Sequence, residues 1–169
     1  MKKLKLALSL GVVFWIAALV IFAAGKVYRP DMNNCAGFTA ADAGAILGLP
    51  AAAITARTEK VHASLWTCTF RAGEQTLAFS VELARTAEEA AADMARYREN
   101  LELTAETAPF KDKLPKGAWS EIVPLGDENT WTDVSGTLTV RQGNVTLQVQ
   151  APAGKIEQIT VAKAFLKKL

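Results

Sequence analysis

The side chains capable of covalent or acid–base chemistry are few and scattered. His62 is the only histidine in the 169 residues. An imidazole titrates near neutral pH, so it is the usual general base for a serine or a water nucleophile. Such a base needs a well-placed serine and an acid that orients the ring. Ser64, Ser80, Ser120 and Ser135 all lack the Gly-x-Ser-x-Gly setting of a nucleophile elbow, and Glu59 is the one acid near His62 in the chain. His62 therefore reads as a surface or hydrogen-bonded histidine, and no catalytic residue is expected. Asp127, Glu128 and Asp133 follow Gly126 and could gather a cation, but turn carboxylates are more commonly solvated. Two cysteines and one distant histidine fall short of the four ligands of a structural zinc site. No metal and no cofactor are expected. Asn144-Val145-Thr146 fits the glycosylation pattern but sits in a predicted turn of a chain with bacterial character, so the match reads as chance.

Two groups of residues remain. Cys35 and Cys68 form either a disulfide or two buried thiols, and an even count in an oxidising compartment favours the disulfide. Trp66, Trp119 and Trp131, with Phe110, are either core anchors or parts of an exposed contact surface. Trp66 alternates with strand partners and reads as core. Phe110, Trp119 and Trp131 are the candidate partner-contact residues, Trp119 above all because it follows a long loop.

The compartment follows from the amino-terminal residues. Lys2, Lys3 and Lys5 precede an uncharged run, Leu6–Gly25, which Lys26, Tyr28 and Arg29 close. About 20 apolar residues at ~1.5 Å rise span a hydrocarbon core. The run reads as a retained signal anchor, or as a signal peptide cut at Ala23-Ala24-Gly25. The lysines before it keep the amino terminus cytoplasmic and put the rest outside the inner membrane. Retention gives a single-pass membrane protein with a periplasmic domain; cleavage gives a free periplasmic one. Three of the 19 Lys and Arg lie before residue 6, leaving 16 against 17 Asp and Glu, so the exported part is almost neutral. No basic stripe with interleaved aromatics is present, which argues against a nucleic-acid site.

The elements divide into 1–25 as anchor or signal peptide, 26–34 as a linker and 35–169 as one exported domain. Thr39 with Asp42 predicts a helix N-terminus, and Gly48 and Pro50 its end. Strands are predicted over 53–59, 65–71 and 75–83, the last two joined by Ala72-Gly73-Glu74. Thr86 with Glu89 at N3 starts a helix that runs to about Leu103. A long loop over 104–118 carries two prolines and three lysines. Strands follow over 119–123, 131–134, 137–141 and 145–150, with a turn at 124–129. A last helix covers 155–168, with Ile156, Ile159, Ala162, Phe165, Leu166 and Leu169 on its packing face.

The second hairpin repeats the first at a spacing of 70. Thr69, Arg71, Gly73, Thr76 and Leu77 match Thr139, Arg141, Gly143, Thr146 and Leu147. The helix at Thr86 falls opposite the helix at residue 156 under the same offset. The expected fold is α+β. One antiparallel sheet is built from two β-hairpin-plus-helix units with helices packed on it, preceded by one N-terminal transmembrane helix.

Cys35, the Thr39–Gly48 segment, Trp66-Thr67-Cys68, Leu125–Glu128 and Leu138–Asn144 together resemble a broad group of small bacterial exported domains of unknown function. Many of those are lipoproteins; here a lipidation motif is absent and the apolar run takes its place. The resemblance implies an α+β sheet domain, a structural Cys35–Cys68 pair and no established activity. The expected function is non-enzymatic binding of a protein partner, as an accessory or assembly subunit of a membrane complex or as an immunity-type protein. The alternative is a small-molecule or lipid-binding module using a cleft between the sheet and the second helix, or the 104–118 loop.

Overall fold

Period-two alternation decides the sheet. The structure, a computed structural model, describes residues 25–107, 119–122, 124–133, 135–150 and 154–169. Six antiparallel strands lie in the order β1-β2-β3-β6-β5-β4. They are β1 Thr55–His62, β2 Leu65–Ala72, β3 Gln75–Leu83, β4 Glu128–Thr132, β5 Thr137–Gln142 and β6 Val145–Gln150. Three helices accompany them: α1 Ala40–Leu47, α2 Ala87–Glu106 and α3 Lys155–Leu166. The protein is thus α+β with one six-stranded antiparallel sheet.

Register gives the sheet one apolar and one polar face, because side chains directly opposite each other share a face. One cross-strand row runs Thr58, Cys68, Phe79, Val149, Leu138, Trp131. The next row, on the other face, runs Glu59, Thr67, Ser80, Gln148, Thr139, Thr130. The hairpins predicted at an offset of 70 have the same geometry. Ala72 opposes Gln75 and Gln142 opposes Val145, and Gly73 and Gly143 both stand at φ 59. Only a residue without a Cβ takes that conformation readily.

The apolar face carries the main core. A 3-10 segment, Met32–Gly37, lays Cys35 against Cys68, and the two form a disulfide with Cα atoms 5.9 Å apart. Thr58 donates its hydroxyl proton to Cys35 Sγ at 2.9 Å. Phe38 then enters between Phe70 and Phe79, with ring centroids 5.2 and 5.1 Å away. Phe165 of α3 closes the cluster 5.6 Å from Phe79. Edge-on aromatic packing adds about 0.5–1.5 kcal/mol per pair beyond area burial. The expected capping box on α1 is present: Thr39 Oγ1 accepts from Asp42 N, and Asp42 accepts from Thr39 N at 2.8 Å. Gly48 ends that helix at φ 69.

The two long helices take opposite faces, an outcome the repeat does not foretell. Helix α3 packs on the apolar face through Phe165. Helix α2 lies on the polar face, where Met94 Sδ accepts from Thr130 Oγ1 at 3.8 Å. It covers the half of that face made by β4, β5 and β6. Its buried residues, Ala87, Ala90 and Met94, are small or pliable enough to sit on a layer of Thr and Gln.

Several boundaries differ from expectation. Strand β1 begins at Thr55, after a 3-10 turn over Ala51–Ala53, and runs on to His62. Strand β4 takes Glu128–Thr132, so the predicted turn at 124–129 ends early. The predicted 119–123 strand contributes only a bridge from Ser120 to Trp131. Helix α3 turns a different face inward: Gln158, Val161, Ala162 and Phe165 are buried while Ile156 is 77% exposed. The cause is Gln158, whose Oε1 accepts from Leu138 N at 2.9 Å and whose Nε2 donates to Gly136 O at 2.6 Å. A buried amide must meet such partners, and here they fix the helix rotation.

The 26–34 segment, expected as a linker, lies along the domain. Tyr28 N donates to Asn144 Oδ1 at 2.6 Å, and Asn144 Nδ2 donates to Tyr28 O at 3.2 Å and Ala84 O at 2.9 Å. A Cβ on Gly143 would come within 2.0 Å of Lys26 O. Gly25 therefore sits beside the N-terminus of α2, where its N–H reaches Glu88 Oε1 at 3.4 Å. The rest of the apolar run, residues 6–24, lies outside the described residues. No helix among the described residues is long and apolar enough to cross a membrane.

Candidate functional site

The polar face of the sheet collects the charged and hydroxyl side chains, so it is the place to look for function. Its covered half is an arginine network. Arg141 of β5 stands opposite Glu128 of β4. Its Nη2 and Nε donate to Glu128 Oε1 at 2.6 and 3.1 Å, and its Nη1 donates to Asp127 Oδ2 at 3.3 Å and Gly143 O at 3.0 Å. Asp127 also accepts from Gly143 N at 2.7 Å and from Gln142 Nε2 at 2.9 Å. Arg98 of α2 joins from above, donating to Thr130 Oγ1, Asn129 O and Glu121 Oε1, each at 2.9 Å. A second ion pair links it to Glu128 at 3.6 Å. The acidic turn is thus neutralised by two guanidiniums, the reverse of what a cation site requires. Asp133, the third carboxylate expected there, accepts from Trp131 Nε1 at 2.5 Å instead. Among the described residues no cluster of three metal-ligating side chains occurs.

The aromatic candidates separate. Trp119 is half-buried under the network: Arg98 stacks over its ring at 4.4 Å and its Nε1 donates to Glu102 at 3.2 Å. Trp131 is only 6% exposed, on the apolar face, with Lys155 over its ring at 5.1 Å. Phe110 lies outside the described residues, with most of the 104–118 loop. His62 is exposed at the β1–β2 turn, its Nδ1 3.4 Å from Ser64 Oγ. Glu59, the acid that could orient it, pairs with Arg57 at 3.2 Å. Asn144 is 4% exposed and committed to Tyr28 and Ala84, which removes it as a glycan acceptor.

Two concavities flank the uncovered half. A cleft of about 150 Å³ runs between α2 and the sheet, lined by Ser80, Asp93, Met94, Tyr97, Thr139 and Gln148 among others. Thr139 Oγ1 is buried there with no protein partner among the described residues. An open groove of about 430 Å³ crosses β1 and β2, lined by Ala53, Thr55, Arg57, Glu59, Thr69, Arg71 and Gly73.

Perturbed carboxyls cluster at helix starts rather than in these concavities. Burial pushes the Asp42 carboxyl up, but hydrogen bonds from Thr39 and Lys168 together hold it below the usual aspartate value. Glu88 is held low by its own backbone N–H and the Thr86 hydroxyl, and Glu89 by Arg85. The Asp42 and Glu88 interactions are helix caps, while Glu89 owes its shift first to an ion pair with Arg85. The arginine network escaped the sequence reading because its members come from α2, the 119–122 segment, β4 and β5; the one available signal was Arg141 in the repeat. Compared with family models, with curated proteins and with solved structures, the chain matches none.

Proposed function

We propose that this chain is a non-catalytic, membrane-anchored domain that binds a protein partner outside the inner membrane, as an accessory or assembly subunit. In this reading Leu6–Gly25 is the retained transmembrane helix, with the amino terminus cytoplasmic and two repeated hairpin-plus-helix units in the periplasm. The observation that carries it is the uncovered half of the polar face. Helix α3 and the Met32–Gly37 segment pack the centre of the apolar face, and α2 covers β4–β6 on the other side, yet β1 and β2 leave Thr55, Thr69 and Arg71 lining an open groove. The docked 26–30 segment adds support, since it holds the domain in one attitude where the apolar run ends. Purifying the full-length protein from its native membranes in mild detergent should yield a complex with one stoichiometric polypeptide. A lone chain, by light scattering and gel, rejects the reading. The intact mass of the same sample tests retention against cleavage after Gly25.

The orphan hydroxyl of Thr139 favours a second reading, a small polar ligand held under α2. Native mass spectrometry should then show a bound mass that Thr139→Val removes. An adduct-free spectrum of the unmodified protein disposes of it.

A further inference from the structure

Arg71 and Arg141 occupy matching places in the two halves of the sheet, each two residues before a turn glycine at φ 59. Their surroundings differ. Opposite Arg141 stands Glu128, which with Asp127 occupies its guanidinium. Opposite Arg71 stands Thr55, and no carboxylate reaches Arg71 among the described residues. The same contrast holds for cover: α2 lies over the second half, while among the described residues no helix lies over the first. The groove there contains Arg57, already paired with Glu59 at 3.2 Å, and the exposed Arg71.

We propose that this groove docks an acidic helical segment of a protein partner, one of whose carboxylates pairs with Arg71 from above the sheet, beside Thr55. The inference rests on the partner-binding reading above and names its surface. Charge complementarity is the first argument. A guanidinium offers several N–H donors to a carboxylate, and at the matching position Arg141 gives both Nε and Nη2 to Glu128 Oε1. Cover is the second. Helix α2 shows what packs on this layer: alanines and a methionine over Thr and Gln, with polar residues at the margin. Thr55 and Thr69 continue the same layer in the groove.

Precedent favours a protein over a lipid surface: in the second half of the sheet the matching layer is covered by a helix, α2, whose Arg98 joins the Glu128 and Thr130 side chains beneath it.

A photo-crosslinking residue at Thr69 of the full-length protein, irradiated in the cells that make it, tests this. The expected adduct is a peptide of another protein that mass spectrometry reads as rich in Asp and Glu. Arg71→Glu should lower its yield about tenfold or more and Arg71→Lys far less, since lysine keeps the charge but not the fork. A lipid adduct, an adduct with a second copy of this chain, or a yield indifferent to Arg71→Glu overturns the inference. Crosslinkers at Ala45 on α1 and Glu99 on α2 separate the two claims. Adducts there but none at Thr69 leave partner binding standing and the groove refuted; none at any position refutes both.

Discussion

Opening the Cys35–Cys68 bridge should cost this domain more than any other single chemical change that leaves its composition intact. The bridge closes a loop with a sequence separation of 33. In the chain-entropy treatment, a loop of that length removes about 12.5 cal/mol/K from the unfolded chain, or about 3.7 kcal/mol at 25 °C. The native side contributes little, because both sulfurs lie on the sheet face under Phe38, at 2% and 0% exposure, and two thiols fill nearly the same space. A domain of roughly 135 residues has an unfolding entropy of about 0.28 kcal/mol/K, so the midpoint should fall by about 13 °C. The assay is calorimetry on the full-length protein in detergent, oxidised against reduced, with reduction performed in denaturant before refolding because the buried bond is shielded. A reduced midpoint within about 3 °C of the oxidised one would refute the reasoning, since the loop term alone predicts several times that.

The repeat supplies an internally controlled pair. Gly73→Ala meets no atom within 4 Å and should cost only the left-handed strain, about 1–2 kcal/mol, while Gly143→Ala drives a methyl to within 2.0 Å of Lys26 O and should cost clearly more. Equal denaturant midpoints for the two variants would contradict the docked 26–30 segment. Asn144→Ala removes three hydrogen bonds to Tyr28 and Ala84 and should lose about 1–3 kcal/mol. It should also speed tryptic cleavage after Lys26 and Arg29, read on a time-course gel. Arg98→Ala uncovers the Trp119 ring and leaves Glu128 short of a partner, so Trp fluorescence should shift red as stability falls by about 2–3 kcal/mol. Asp42, with its folded pKa depressed, stabilises the α1 start above its unfolded pKa, near ~3.9, and that contribution is lost as pH falls through the folded value. Asp42→Asn should flatten the acid limb of the stability curve, and an unchanged limb counts against the capping box.

What could be read before folding was whatever depends on near neighbours. The Thr39–Asp42 box, the Gly73 and Gly143 turns and the alternation of β2, β3, β5 and β6 are local patterns with local causes. The even cysteine count pointed to the Cys35–Cys68 pair. Strand β4 was harder, because Asn129, Thr130 and Thr132 are buried polar residues that interrupt any hydrophobic signal. Asn129 is buried because its side chain serves Ile122 and Leu125 backbone groups at 2.6 to 2.9 Å. The buried face of α3 is rotated by a fraction of a turn from the one its apolar residues predict, because Gln158, polar in isolation, is the residue that docks it.

The chain alone determined the three helices, the shared hairpin and the division of side chains between an apolar and a polar side of β2, β3, β5 and β6. Those follow from steric and hydrophobic periodicities that act within a few residues. Tertiary structure decided which face each helix took, that Asn144 would grip Tyr28 from 116 residues away, and that Arg141 would find carboxylates while Arg71 would not. These outcomes depend on which side chains strand register and helix docking bring within hydrogen-bonding range. A repeat that places two arginines identically in sequence cannot reveal that only one of them is left open to solvent.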